Sequence, residues 1–161
     1  MASGIKPNTF IQMLALAAAS VAGVFLARPF YSQPIPWTYA WSNHVVSAAQ
    51  EKGIHTVTLA EADEISRTFS HVILDARREA DYYAGHIPGA MPLPISDLDQ
   101  HLMEIIPLLS PEQPILVYCS GQDCDESLKL GEVLISHGFT NVHLFAGGMA
   151  EWKQAGLPVD Q

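Results

Sequence analysis

The chain has 161 residues, of which 48% are hydrophobic and 16% charged, a composition that suits one packed globular domain rather than a disordered protein. Residues 1–50 contain Lys6 and Arg28 but no acid, so the remainder holds six bases and all seventeen acids, net −11. We do not expect a domain this acidic to bind nucleic acid or an anionic lipid surface.

The first distinct segment is residues 10–27, FIQMLALAAASVAGVFLA, which carries no charge over eighteen residues. As a helix it is about 27 Å long, close to the hydrocarbon thickness of a bilayer, roughly 30 Å. Arg28 and a Pro-rich stretch with several aromatic residues follow, as is typical of a membrane interface. The segment is therefore interpreted as a transmembrane anchor. A cleaved signal peptide with Ser20-Val21-Ala22 as its small-residue site, and a soluble core helix, stay open as alternatives.

This interpretation divides the chain into four parts: a short N-terminal segment 1–9, the anchor 10–27, a Pro- and aromatic-rich juxtamembrane linker 28–50, and a domain 51–161. Lys6 and the terminal amine on one side of the anchor, against Arg28 on the other, favour an N-terminus inside the cell. The predicted location is a single-pass membrane protein whose domain faces the periplasm or another extracytoplasmic, oxidising space.

Strand and helix patterns alternate through the domain. The predicted strands are HTVTL, HVILDAR, the short extended piece MPLPI, QPILVYC and NVHLFA. The predicted helices are AEADEISRTF, a helix starting near Ser96 and running through LDQHLMEIIPLL, ESLKLGEVLISHG and GGMAEWKQAG. Strands that alternate with helices predict an α/β fold with a central parallel sheet flanked by helices.

The stretch VYCSGQDCDES contains both cysteines of the chain. Parallel sheets place ligand sites beyond the carboxyl ends of their strands, and Cys119 ends the most apolar strand. One interpretation is a nucleophile whose sulfur faces backbone N–H groups and the amino end of the next helix. The other is a small buried apolar residue that only ends a strand, which is common for cysteine.

The order of LDARREADYYAGHIPGAMPLP, ILVYCSG and HGFTNVHLFAGGMAEWKQAGLPV resembles a rhodanese domain, from His55 to Val159. The matching features are Asp75 and Arg77 at a strand end, the GHIPGA loop with His86, Cys119, and the NV…GG…W…GLP tail. In that family the cysteine takes a sulfane sulfur as a persulfide and passes it to a thiophilic acceptor. The resemblance implies sulfurtransferase chemistry without a cofactor, and gives supporting roles to Asp75, Arg77 and His86. A packing role for His86, and an ion pair of Arg77 with Glu79 or Asp81, stay open.

The loop after Cys119 departs from the family pattern. Active members commonly carry a Cys-x4-Arg sequence that binds an anionic donor, whereas Cys124 stands at that arginine position here. Asp123, Asp125 and Glu126 make the loop negative, so we expect little thiosulfate:cyanide sulfur transfer. Related phosphatases use a Cys-x5-Arg loop, and Asp125 at that position excludes such an activity.

Two cysteines in one loop can reach the Cα separation of about 4.4–6.8 Å that a disulfide needs. We therefore predict a sulfur-transfer or thiol-redox site with Cys119 as persulfide or thiolate nucleophile and Cys124 as resolving cysteine. The substrate loop would comprise Ser120, Gly121, Gln122, Asp123 and Asp125. The alternative is a catalytically silent binding module in which the two cysteines form a structural disulfide.

The expected partners follow from this chemistry. They are a small sulfur donor or a protein thiol acceptor, the membrane through the N-terminal helix, and a redox membrane protein. No nucleic acid partner is expected. No metal is predicted because the Cys-x4-Cys spacing differs from the usual Cys-x2-Cys form of metal sites.

Overall fold

The computed structural model describes residues 36–122 and 124–161, with the backbone alone described at 36–43, 97, 99 and 100. The predicted segments 1–9 and 10–27 lie outside these residues. Within the described part of the chain, no helix combines the length and the apolar character needed to cross a membrane. The sheet and the helical residues packed on it belong to Ala40–Gln161, the second of two compact units of the chain.

Five short strands and six α-helices make up the described structure. The strands are β1 His55–Thr56, β2 Val72–Asp75, β3 Ala90–Pro92, β4 Ile115–Tyr118 and β5 Val142–Phe145. The helices are α1 Pro36–Glu51, α2 Leu59–Thr68, α3 Glu79–Tyr83, α4 Leu98–Ile105, α5 Glu126–Ser136 and α6 Gly148–Gln154. Short 3₁₀ turns at Ile95–Asp97 and Ile106–Leu108 flank α4.

All five strands form one parallel sheet in the order β1-β5-β4-β2-β3. The predicted α/β fold with a central parallel sheet flanked by helices is therefore confirmed. The first strand is shorter than the pattern HTVTL suggests, because Thr58 already caps α2. Its hydroxyl and the carboxylate of Glu61 form a reciprocal capping box that starts the helix at Leu59.

Helices cover both faces of the sheet. One core cluster joins Val45 and Ala49 of α1, Leu102 of α4 and the apolar side of α5 to one face. The other joins α2 and α6 to the opposite face, with Trp152 and Phe145 among its fully buried side chains. The central strand β4 is buried along its whole length, so the residue that follows it is held by core on both sides.

Helix α1 was not predicted from the sequence. Residues 28–50 read as a linker because of their proline and aromatic content, yet a helix spans Pro36–Glu51. Val45 and Ala49, four positions apart, lie on one helical side and are buried in the core of the domain. The folded part of the chain therefore includes the last turns of that predicted linker.

Candidate functional site

Cys119 directly follows β4, at the carboxyl edge of the sheet. The loop after it turns back on itself, since the N–H of Cys124 donates to the carbonyl of Gly121 at 3.0 Å. Helix α6 holds the loop from the other side. The N–H of Met149 donates to the carbonyl of Cys119, and the N–H of Ala150 to that of Ser120, both at 2.9 Å. The loop conformation is thus set by hydrogen bonds within the loop and by hydrogen bonds from α6, which is distant in sequence.

Gly148 is the point of closest approach between α6 and this loop. Its φ is +55°, and a Cβ added there would lie 2.8 Å from the amide nitrogen of Gly121 and closer still to the carbonyl oxygen of Cys119. Only a residue without a side chain fits such an approach. Gly148, the second glycine after β5, is therefore a requirement of the cysteine loop.

Cys119 and Cys124 form a disulfide, with their Cα atoms 6.3 Å apart. That separation lies inside the range of about 4.4–6.8 Å seen for disulfides. Cys119 is 1% exposed and Cys124 8% exposed. Cys124 lies on the wall of an open pocket of about 420 Å³, which is also lined by Ser120, Gly121, Gln122, Glu126 and Ala150. Of the two bonded cysteines, Cys124 is therefore the one that borders a pocket.

The sulfur of Cys119 lies in a polar pocket of its own. The buried hydroxyl of Ser127 donates toward it at 3.5 Å, while the carbonyl oxygens of Cys124 and Gly121 lie at 3.3 and 3.7 Å. We predicted backbone N–H groups around this sulfur, whereas these contacts are two carbonyls and one hydroxyl. Helix α5 still begins beside the sulfur, so its amino end favours negative charge there. Ser127 was not predicted from the sequence.

The described acids of the loop, Asp125 and Glu126, do not cap helix α5 through side-chain hydrogen bonds. Asp125 is the N-cap residue of α5, but its carboxylate makes no side-chain capping hydrogen bond among the described residues. The carboxylate of Glu126 instead contacts Sγ of Cys124. A negative charge at this position opposes a second one on the Cys124 sulfur. Asp123 lies outside the described residues.

Asp75 and Arg77 form a buried ion pair beside the loop. Asp75 is fully buried and accepts from the Arg77 guanidinium at 2.6 Å and from the Tyr118 hydroxyl at 2.6 Å. Arg77 also donates to the carbonyl of Gly85 at 2.9 Å. The ion pair therefore ties the ends of β2 and β4 to the GHIPGA loop, and Asp75 is the partner of Arg77 in place of the suggested Glu79 or Asp81.

Burial and the charge of Asp75 both shift the pKa values of Arg77 and Tyr118, the two residues that donate to it. Burial lowers the pKa of Arg77, but the hydrogen bonds and charge of Asp75 outweigh it and raise the pKa. Burial, reinforced by the charge of Asp75, raises the pKa of Tyr118, so its hydroxyl stays protonated and donates. The network is thus one positive and one negative charge with every partner satisfied, which is typical of a structural support.

His86 packs within its own loop. Its ring stacks on Tyr82 with centroids 3.9 Å apart, and its Nδ1 lies 3.2 Å from the Tyr82 carbonyl oxygen. Its backbone forms an antiparallel bridge with Asp160. The geometry of His86 thus corresponds to the packing role that the sequence left open.

Arg78 was missed by the sequence analysis. It lines a second pocket of about 410 Å³ together with Arg77, Asp81, Ser120 and Glu126. Its side chain is 80% exposed and pairs with Asp81 at 3.0 Å. Its place after β2, the strand that pairs with β4, was the signal that could have identified it.

The two sulfurs and the Glu126 carboxylate lie within 4.8 Å of one another, close enough to share a metal ion. Metals bind cysteine as the thiolate, which a disulfide does not offer. This group is therefore a metal site only if the disulfide is reduced.

The sequence and structure were compared with known proteins. The profile of the Rhodanese-like domain family matches residues 58–155. An HTH-type transcriptional regulator of Mycobacterium tuberculosis is 31% identical over 143 residues, covering 88% of this chain and 61% of its own length. A thiosulfate sulfurtransferase of Pseudoalteromonas translucida is 28% identical over 99 residues, 62% of this chain and 89% of its own.

A crystal structure of a Rhodanese_3-like domain from an Anabaena protein superposes with a TM-score of 0.50 at 35% identity. The match covers 56% of this chain and 99% of that domain. The chain spans 61% of the length of the mycobacterial relative. This chain is therefore similar to a domain that occurs both alone and as part of longer proteins.

Proposed function

Because the chain belongs to the rhodanese-like domain family, we propose that it performs sulfur transfer or thiol-redox chemistry with Cys119 as nucleophile and Cys124 as resolving cysteine. The observation that carries this proposal is the Cys119–Cys124 disulfide at the carboxyl end of β4, with Cys124 on a pocket wall. A second thiol within bonding distance of a family nucleophile is suited to resolve a persulfide.

The reaction begins with the reduced protein. The Cys119 thiolate attacks the outer sulfur of a persulfide or polysulfide donor, and the donor leaves as its own thiolate or shortened polysulfide. Cys124 then loses its proton and attacks Sγ of Cys119. A disulfide forms, and the transferred sulfur leaves as hydrosulfide with the two electrons that the thiols gave up. In the sulfur-transfer variant an acceptor thiolate attacks the outer sulfur instead of Cys124 attacking Cys119, so the acceptor becomes a persulfide, Cys119 leaves as a thiolate and no disulfide forms.

Turnover requires a dithiol reductant, which in this proposal is a partner protein. Its thiolate attacks Cys124, the sulfur on the pocket wall, and Cys119 leaves. Cys119 suits the leaving role because the Ser127 hydroxyl and the amino end of α5 stabilise its thiolate. The same stabilisation makes Cys119 the nucleophile of the first step.

The charge of the pocket bears on the donor. Glu126 repels a dianion such as thiosulfate, and exposed Arg78 stands in the neighbouring pocket already paired with Asp81. We propose a donor sulfur carried on a thiol, small or protein-bound, in preference to thiosulfate. A redox membrane protein as partner, an N-terminal anchor and an extracytoplasmic location belong to the same proposal.

The test is intact-mass analysis of the reduced full-length chain after addition of cysteine persulfide, a donor whose sulfur is carried on a thiol. The wild type should release hydrosulfide and gain the disulfide, while Cys124→Ser should retain a sulfur of about 32 daltons on Cys119. Cys119→Ser should do neither. Absence of both adduct and hydrosulfide would reject the proposal.

The silent binding module remains a second candidate. It is favoured by the burial of Cys119 at 1% exposure, which suits a structural disulfide. Under this hypothesis, reduction of the disulfide lowers the free energy of unfolding by about 2–4 kcal/mol. The reduced chain releases no hydrosulfide when the sulfur donor is added. Denaturant unfolding of the oxidised and reduced chain, measured beside the mass experiment, separates the two functions.

A further inference from the structure

Three histidines distant in sequence meet at the amino-terminal side of the sheet, away from the carboxyl edge where Cys119 lies. His143 is in β5, His55 is its register partner in β1, and His71 directly precedes β2. The ring of His143 lies 4.9 Å from that of His71 and 5.9 Å from that of His55, measured between centroids. All three line one pocket of about 430 Å³.

We propose that His55, His71 and His143 bind a divalent transition-metal ion of the zinc class. Imidazole nitrogen is a preferred ligand of zinc, copper and nickel. With Zn–N bonds of about 2.0–2.1 Å and a tetrahedral angle, two imidazoles on one ion have centroids about 5 Å apart. The two separations measured from His143 bracket that value, and the exposed ring of His55 must turn for all three imidazoles to reach one ion.

Hydrogen bonds leave ring nitrogens free for the ion. Oδ1 of Asn141 lies 2.8 Å from Nε2 of His143, and in the tautomer whose Nε2–H donates to it, Nδ1 presents its lone pair. In His71 the bond at 3.0 Å to the Ser70 hydroxyl uses Nδ1 and leaves Nε2. Such outer partners fix the ring orientation of metal-binding histidines.

The charge of the pocket suits a cation. Glu61 and Glu64 of α2 bring two carboxylates to the same pocket, where Glu61 also caps α2 and Glu64 pairs with Arg67. His55 is exposed, so its ring can turn toward the ion without disturbing the core.

Binding would join three separate elements of the fold: β1, the turn before β2, and β5. An ion that binds only the folded chain stabilises it, so Zn²⁺ should raise the unfolding temperature. This site is independent of the cysteines, and its failure would leave the proposed sulfur chemistry intact.

The experiment titrates the oxidised full-length chain, whose sulfurs are held in the disulfide, with Zn²⁺ by calorimetry in metal-free buffer. We expect one ion per chain, with affinity weakened about tenfold or more in His143→Gln and in His71→Gln. Asn141→Ala should weaken binding about tenfold by freeing the His143 ring. His137→Gln, at an exposed histidine after α5, is the matched control and should bind as the wild type does.

A second measurement uses Cu²⁺ bound to the wild-type chain, so its result does not depend on whether a variant folds. Its electron paramagnetic resonance spectrum should show hyperfine coupling to imidazole nitrogens of at least two rings. The proposal is overturned by the absence of Zn²⁺ binding, by affinity unchanged in both His143→Gln and His71→Gln, by equal loss in His137→Gln, or by a copper spectrum without coupling to two imidazoles.

Discussion

The carboxylate of Glu126 lies against Sγ of Cys124, the sulfur on the pocket wall, while the hydroxyl of Ser127 points at Sγ of Cys119. Two neighbouring residues of the first turn of α5 thus place a carboxylate beside one sulfur and a hydroxyl beside the other. The Glu126 carboxylate opposes negative charge on Cys124, whereas the Ser127 hydroxyl and the amino end of α5 favour it on Cys119, against two carbonyl oxygens near the same sulfur. This asymmetry supports the assignment of Cys119 as nucleophile, and it is testable on each side.

Glu126→Gln should make Cys124 of the reduced chain react faster with iodoacetamide, by roughly threefold or more, because a charge that opposes its thiolate is removed. The difference should shrink in high salt, since Glu126 is exposed and its field is screened. Labelling rates per cysteine from peptide mass spectrometry measure it. Glu112→Gln, an exposed acid away from the loop, is the control, and an equal change there would contradict the assignment.

Ser127→Ala should slow alkylation of Cys119 at neutral pH by roughly three- to tenfold, as expected for loss of a hydrogen bond worth about 1 kcal/mol. The pH at which the rate reaches half its plateau should rise, which a general loosening of the loop would not produce. Ser136→Ala, whose hydroxyl bonds the Val133 carbonyl at the other end of α5, should leave both values unchanged.

Asp75→Asn should lower the free energy of unfolding by about 3–5 kcal/mol, because it leaves the Arg77 charge buried without its counterion. Denaturant unfolding measures the change. Asp81→Asn breaks the exposed pair with Arg78 and should cost about 0–1 kcal/mol. Similar losses in the two variants would show that the buried pair is not a structural support.

Gly148→Ala should destabilise the domain more than Gly53→Ala does. Both glycines have positive φ, at +55° and +74°, so both variants carry a backbone penalty of about 1–2 kcal/mol. A Cβ at Gly53 meets nothing within 4 Å, whereas one at Gly148 collides with the cysteine loop. Gly148→Ala alone should also change the rate at which the disulfide is reduced, followed by thiol release.

The predicted transmembrane anchor at residues 10–27 can be tested independently of the cysteine chemistry. Full-length protein should sediment with membranes and stay there through a high-salt wash, because about eighteen apolar residues in a bilayer are not released by screening charge. Immunoblots of fractions before and after the wash measure this. A soluble product beginning near Gly23 would identify residues 10–27 as a cleaved signal instead.

The sequence by itself determined the alternation of strands and helices, the parallel sheet and the family, because hydrophobic periodicity and short motifs are local properties. It also located Cys119 at the end of the most apolar strand. It did not reveal α1, because the prolines at and before its start and its aromatic residues concealed the spacing of Val45 and Ala49.

Only the tertiary structure decided how these parts meet. The Tyr118 hydroxyl reaches Asp75 across 43 residues, because strand order makes β2 and β4 neighbours. The same order brings His71 to His143, which no spacing in the chain suggests. Likewise, the different surroundings of the two sulfurs follow from where α5 begins and how closely α6 approaches the loop. Contacts of this kind depend on chain topology, and topology is a property of the whole packed core.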